Sequence, residues 1–241
     1  DPLGNQTSVV VDALGLQSVV TDALNNQLHF VYDASGNLLK SYVSGNSTEI
    51  VRTQLVYDDY GRKTTSIDVD KGTWRYTYNA FGELLSQTNG NNQSTFFYYD
   101  TLGRQVRQTE PEGTSCWVYG TKAAKNAGLL VAEKRYDTIV SDCSAAGAVH
   151  QKTTNYDELG RLKSTTTTIG ASSYTSSVSY DSLGRVAEQS YPENLLTIVN
   201  HYNTSGYLYK RTDKATGKAY QTIEKMNAKG GVEKVVYGLS L

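Results

Sequence analysis

One hexapeptide, Tyr-Asp-x-x-Gly-Arg, constrains this chain more than any other feature, because it returns along the whole length. Aligned on the tyrosine, the copies begin at Tyr32, Tyr57, Tyr78, Tyr99, Tyr156 and Tyr180, with weaker ones at Tyr202 and Met226. The tyrosine-to-tyrosine steps are 25, 21, 21, 57, 24 and 22 residues. The long step is read as holding a degenerate copy at Tyr136-Asp137 with an extended loop. Near the middle of each interval lies a second turn signal: Lys71-Gly72, Asn89-Gly90, Glu112-Gly113, Gly170, Pro192-Glu193-Asn194 and Thr216-Gly217. Each repeat therefore reads strand, turn, strand, turn. At the start the half-period stands alone, as Asp12-Ala13-Leu14-Gly15 and Asp22-Ala23-Leu24-Asn25.

Asp-x-x-Gly-Arg resembles a charged catalytic pair on a glycine loop, yet its recurrence points to a corner. Asp at the first position of a type I turn accepts hydrogen bonds from backbone two residues on. Gly then supplies the left-handed conformation that closes a three-residue hairpin loop with a bulge, so Gly103 and Gly160 should have positive φ. In that register Asp and Arg are cross-strand neighbours, as in Asp100–Arg104, Asp157–Arg161 and Asp181–Arg185. The copies carry the pairing: all four with Arg last have Asp, and all three with Asn in place of Asp lack Arg. The next pair out joins each tyrosine, or Met226, to Leu38, Lys63, Leu84, Gln105, Leu162, Val186, Leu208 or Val232.

Composition agrees with strands. The 241 residues include 19 Tyr and 21 Gly but only 3 Pro, and Ser and Thr make up about a fifth. β-Branched and aromatic residues alternate with polar ones; Trp74, Tyr76 and Tyr78 share one face. The fold class is all-β: a hairpin array in a long, twisted antiparallel sheet. A net charge of -1 argues against a nucleic-acid footprint, and no apolar run approaches the ~18 residues of a membrane span. Because Asp1-Pro2-Leu3-Gly4 is itself a repeat fragment, the chain is read as an excerpt from a longer protein, with residues 1–241 forming one repeat region.

Tyr-Asp-x-x-Gly-Arg at this period resembles the Rhs/YD-repeat family over essentially the whole chain. That family includes bacterial Rhs polymorphic toxins, toxin-complex shell subunits, cell-wall-associated proteins and teneurins. The resemblance implies a sheet ribbon that spirals into a hollow shell, secreted or at the cell surface, which in toxin members holds a C-terminal toxin domain. Such shells often end in a core with an aspartate-based self-cleavage site. Asp1-Pro2-Leu3-Gly4 resembles its Asp-Pro-x-Gly core but lies at the wrong end. Residues 110–153 break the rhythm as an irregular, loop-bearing insertion, in which 121–128 could hold a helical turn. The only two cysteines, Cys116 and Cys143, bracket that segment. In an exported family this points to a disulfide, with two free thiols the alternative.

No catalytic, cofactor-binding or metal-binding residue stands out. His29, His150 and His201 lack Cys or carboxylate partners at ligand spacing; Asp68-Val69-Asp70 lacks the rest of a calcium loop; no nucleophile elbow occurs. The sequons at Asn5, Asn46, Asn92 and Asn203 are as many as chance supplies in so Asn-, Ser- and Thr-rich a chain. Two function classes follow. The first is a non-enzymatic shell segment whose partners are the remainder of its own chain and an enclosed toxin domain. The second is an adhesion module for a cell-surface glycan or receptor. About twenty strands at ~4.8 Å spacing span roughly 95 Å, which closes to a bore of only about 20 Å. A 100-residue domain is roughly 34 Å across, so these residues alone should not enclose one.

Overall fold

The computed structural model describes residues 4–45 and 48–238; Asp1-Pro2-Leu3 and the sequon at Asn46 lie outside them. The chain forms two compact units, Asp1–Glu112 and Gly113–Leu241. All-β is the observed class. Twenty strands run from Ser8–Val11 to Val232–Tyr237, and the only helical element among the described residues is the three-residue 3-10 turn Pro192–Asn194. Within each unit every strand pairs antiparallel with its neighbour in sequence, as Gly72–Tyr78 does with Leu84–Thr88 and His150–Tyr156 with Leu162–Ile169. Such a ladder is quasi-one-dimensional, each hairpin leaning on the next.

The register is the one the hexapeptide predicts. Tyr32 pairs with Leu38, Tyr57 with Lys63, Tyr78 with Leu84 and Tyr99 with Gln105. Tyr156 pairs with Leu162, Tyr180 with Val186, Tyr202 with Leu208 and Met226 with Val232. A bulge adjoins each of these pairs, the irregularity that a left-handed glycine introduces into one strand. Alternation holds too: Trp74, Tyr76 and Tyr78 are half-buried while Arg75 and Thr77 are exposed.

Burial is sparse. Among the described residues the buried apolar side chains are Cys116 and Tyr136, with Ser41, Thr109, Thr114 and Thr212 the buried polar ones. Cross-strand contacts therefore carry much of the stabilisation, at about 0.2–1 kcal/mol per pair. Hydroxyl pairs recur among them: Thr77–Ser86 at 2.7 Å, Thr88–Ser94 at 2.8 Å and Thr166–Thr175 at 2.8 Å.

Segment 110–153 contains two strands of the ladder, Gly113–Tyr119 and Leu130–Tyr136, besides its two long loops. These strands correct the placement of the degenerate repeat. Tyr119 pairs with Leu130 next to a bulge, and the Gly120 N–H donates to the Leu129 carbonyl at 2.8 Å. This is how a repeat turn closes, with ten residues where five suffice elsewhere. Loop 120–129 thus joins the repeat turns at one edge of its unit, and Tyr136-Asp137 opens the loop at the opposite edge. Tyr119 lies 20 residues after Tyr99, on the period, but Gly120 rather than Asp follows it, so the hexapeptide pattern does not mark it. Residues 122–125 form a hydrogen-bonded turn rather than a helical one, with Lys125 at φ 56° and the Thr121 N–H donating to Asn126 Oδ1. So short a stretch cannot repay helix nucleation.

Candidate functional site

The repeated turn is the most developed side-chain arrangement in the molecule. At 100–104 the Asp100 N–H donates to the Arg104 carbonyl at 2.9 Å and the Gly103 N–H to the Asp100 carbonyl at 3.1 Å. The same two backbone bonds close eleven turns among the described residues. The residue before the closing position always has positive φ: Gly103 and Gly160 at 75°, and Asn25 and Asn92, the side chain that best tolerates this region after glycine, at 63° and 60°.

Aspartate makes three further bonds at each Asp/Arg turn. Asp100 Oδ1 accepts from the N–H groups of Leu102 (2.9 Å) and Arg104 (3.0 Å), and Oδ2 accepts from Arg104 Nε at 2.7 Å. Asp157 and Asp181 repeat this with Arg161 and Arg185, and Asp58 with Arg62. The guanidinium of Arg104, then the two backbone N–H groups, hold the Asp100 carboxyl below the ordinary aspartate range against a desolvation that acts the other way. Chemically this carboxylate is spent: its lone pairs are engaged by its own turn.

Tyrosine ties one repeat to the one before. The hydroxyls of Tyr32, Tyr57, Tyr78, Tyr99, Tyr156, Tyr180 and Tyr202 donate to the carbonyls of Gln17, Leu38, Lys63, Leu84, Leu130, Leu162 and Val186 at 2.8–3.0 Å. Each acceptor immediately follows the closing residue of the preceding turn. Leu130 fills that role for Tyr156, which is independent support for counting Tyr119 as the missing copy. Burial pushes the phenols of Tyr57, Tyr78 and Tyr99 up, keeping them protonated donors. The arginine also looks forward: Arg161 lies over the Tyr180 ring at 4.1 Å and Arg185 over Tyr202 at 4.2 Å. Sequence reasoning paired Arg with Asp and missed this second contact.

Loop 137–149 is built differently. Cys116 and Cys143 are disulfide-bonded. The Tyr136 hydroxyl donates to the carbonyls of Cys143 (3.2 Å) and Ala145 (2.8 Å) within its own loop. Lys134 Nζ reaches the Cys143 carbonyl at 2.8 Å, and the Val140 N–H donates to Thr114 Oγ1 at 3.1 Å. Gly113 lies so close beneath that a Cβ there would stand 2.0 Å from the Tyr136 carbonyl oxygen.

The histidines are dispersed. His29 stacks on Tyr42 with ring centroids 4.8 Å apart, His201 Nε2 is 2.8 Å from Thr212 Oγ1, and His150 begins its strand opposite Arg135 and Ile169. Asp68 Oδ1 accepts from the N–H groups of Asp70 and Lys71, closing a turn. Among the described residues no three His, Cys, Asp or Glu cluster as a metal site, and no helix is long and apolar enough to cross a membrane.

The geometry agrees with known proteins. The RHS Repeat family model matches residues 78–115. The tRNA3(Ser)-specific nuclease WapA of Bacillus spizizenii is 34% identical over 90 residues, covering 36% of this chain and 4% of WapA. The fold matches the crystal structure of TcdB2-TccC3-Cdc42 at TM-score 0.56 and 16% identity, over 90% of this chain and 13% of that one. TcdB2-TccC3 without its hypervariable C-terminal region matches at TM-score 0.56 and 17% identity, over 95% and 12%. The chain thus spans a small fraction of each relative, and at these identities the structural likeness is one of fold. With the family match spanning the turns that follow Tyr78 and Tyr99, and the same closure running through both units, these likenesses together support an Rhs/YD-repeat protein.

Proposed function

We propose that these residues are a structural, non-catalytic wall segment of a larger Rhs/YD-repeat protein that is secreted or surface-exposed and shields a toxin domain encoded elsewhere in the same protein. The observation that carries this is the self-sufficiency of the turn. Its Asp, Arg, Tyr and Gly are all engaged in holding one hairpin to the next, which leaves the most reactive-looking motif no group for chemistry. The fold shared with structures containing TccC3 supports a wall role, and the nuclease named in the WapA match supports a toxin as cargo. The test is protease protection of the C-terminal domain in the full-length protein. Protection that is lost when Gly103 and Gly160 are both changed to Ala supports the wall; a C-terminal domain equally accessible with and without the repeats refutes it.

The adhesion reading keeps one specific support, the exposed apolar turn tips Tyr60, Phe81, Leu102, Leu159 and Leu183, which are 74–90% accessible. Glycan-array binding that disappears when loop 110–153 is trimmed would favour it over the wall.

A further inference from the structure

The repeat contains its own cation site, and in the copy ahead of Tyr99 a carboxylate stands in place of the cation. Arg62, Arg161 and Arg185 lie over Tyr78, Tyr180 and Tyr202 at 5.0, 4.1 and 4.2 Å. In each case the arginine is the sixth residue of the preceding hexapeptide. For Tyr99 that position holds Glu83. Arg161 Nη1 would be 3.3 Å from a Cβ on Gly184 and Arg185 Nη1 3.6 Å from one on Gly206; Glu83 Oε1 occupies the corresponding place, 2.8 Å from one on Gly103. Glu83 Oε2 accepts from Asn79 Nδ2 at 2.5 Å, and among the described residues Glu83 has no cationic partner and the Tyr99 ring no cation over it. Asp100 nearby is already paired with Arg104 at 2.6 Å.

Where the guanidinium is missing, a cleft of about 670 Å³ opens, lined by Phe81, Glu83, Phe97, Tyr99 and Leu102 among others. Phe81 and Leu102 are 90% and 74% exposed, so the cleft is reached from solvent. We infer that this cleft binds a guanidinium supplied from outside, an arginine side chain presented by another polypeptide segment. Tyr99 offers the ring face that its sister tyrosines offer to an internal arginine. Glu83 supplies the countercharge, and Phe81 and Leu102 provide apolar surface for the arginine stem. The planar guanidinium fits a ring-plus-carboxylate site better than an ammonium does. The inference is independent of the wall reading, since it concerns one turn pair within one unit.

The test titrates the 241-residue protein, isotope-labelled for NMR, with a capped Gly-Arg-Gly peptide and with its citrulline counterpart, isosteric but uncharged. Saturable shifts at Phe81, Glu83 and Tyr99 are expected with arginine, and about ten-fold weaker binding with citrulline. The Asn79→Asp/Glu83→Arg double variant rebuilds the Asp/Arg turn and places an internal guanidinium over Tyr99. It should fold at least as well as the parent and lose the binding. Glu83→Gln should weaken binding about ten-fold with the fold intact. No saturable binding, equal binding of the two peptides, or undiminished binding to the double variant would each overturn the inference.

Discussion

The turn at 157–161 and the loop at 137–149 join strands of the same unit by different means. The turn needs five residues, two backbone bonds, one glycine at φ 75° and the Asp157–Arg161 pair. The Tyr156 hydroxyl ahead of it is free to reach the Leu130 carbonyl of the preceding repeat. The loop has no such pattern. Its tyrosine, Tyr136, turns inward to the Cys143 and Ala145 carbonyls, and a disulfide pins the loop to Cys116 on the neighbouring strand. The result is the most complete burial among the described residues, with Thr114 and Cys116 at 0% and Tyr136 at 1% accessibility. Short turns are held by local dihedral preference and hydrogen bonds; a long loop, which loses more chain entropy on closing, is held by a covalent link and a small core.

The largest expected effect separates the two regions. Reduction, or Cys116→Ala with Cys143→Ala, should cost about 3 kcal/mol and expose amides of 113–149 in hydrogen exchange, while turns 157–161 and 181–185 keep their protection. Loss of protection in those turns as well would show that the loop core supports the whole unit. Gly113→Ala should act on the same region at a similar scale, about 3 kcal/mol, because the new methyl meets a carbonyl that cannot withdraw; an unchanged melting temperature would contradict the close packing there.

Next comes a matched pair of hydroxyl deletions. Tyr136→Phe takes the hydroxyl donor from the part-buried Ala145 carbonyl, while the Cys143 carbonyl keeps Lys134 Nζ, and should cost about 1–3 kcal/mol. Tyr180→Phe, in an exposed setting where water replaces the hydroxyl, should cost less. Equal losses in chemical denaturation would erase the distinction between inward and inter-repeat tyrosines.

Gly160→Ala should then cost about 1 kcal/mol, the penalty of the left-handed region for a residue with a Cβ, and Gly103→Ala somewhat more, since Glu83 Oε1 would stand 2.8 Å from the new methyl. The smallest effect belongs to the ion pairs. Their aspartates are depressed in the folded state, so their stabilisation is fully present above the unfolded aspartate pKa and is lost as pH falls through the lower folded values. Acid titration should therefore weaken the turns only below about pH 4, and a double-mutant cycle at Asp157 and Arg161 should return a small favourable coupling that shrinks with salt. Zero coupling would assign the pairing to geometry alone.

The hexapeptide and the turn signals between its copies determined by themselves the number of strands, the closure of the turn, the positive φ of the fifth residue, the Asp–Arg pairing and the cross-strand partner of each tyrosine that opens a hexapeptide. All of these lie within about six residues of one another, where turn stereochemistry and two-residue alternation leave little choice. What crosses from one repeat to the next was decided only in three dimensions: the tyrosine hydroxyls reaching carbonyls 15 or more residues away, the arginines over the following tyrosines, and Tyr119 rather than Tyr136 as the missing tyrosine between Tyr99 and Tyr156. Sequence proximity made Tyr136-Asp137 look like a repeat, yet the hairpin that ends at Tyr119 puts it on the far edge, because each antiparallel strand reverses the side on which the next turn must fall. The disulfide was left open between a bond and two thiols for a related reason. A pair of cysteines 27 residues apart in sequence meets only once the strand bearing Cys116 and the loop bearing Cys143 are brought together by the ladder.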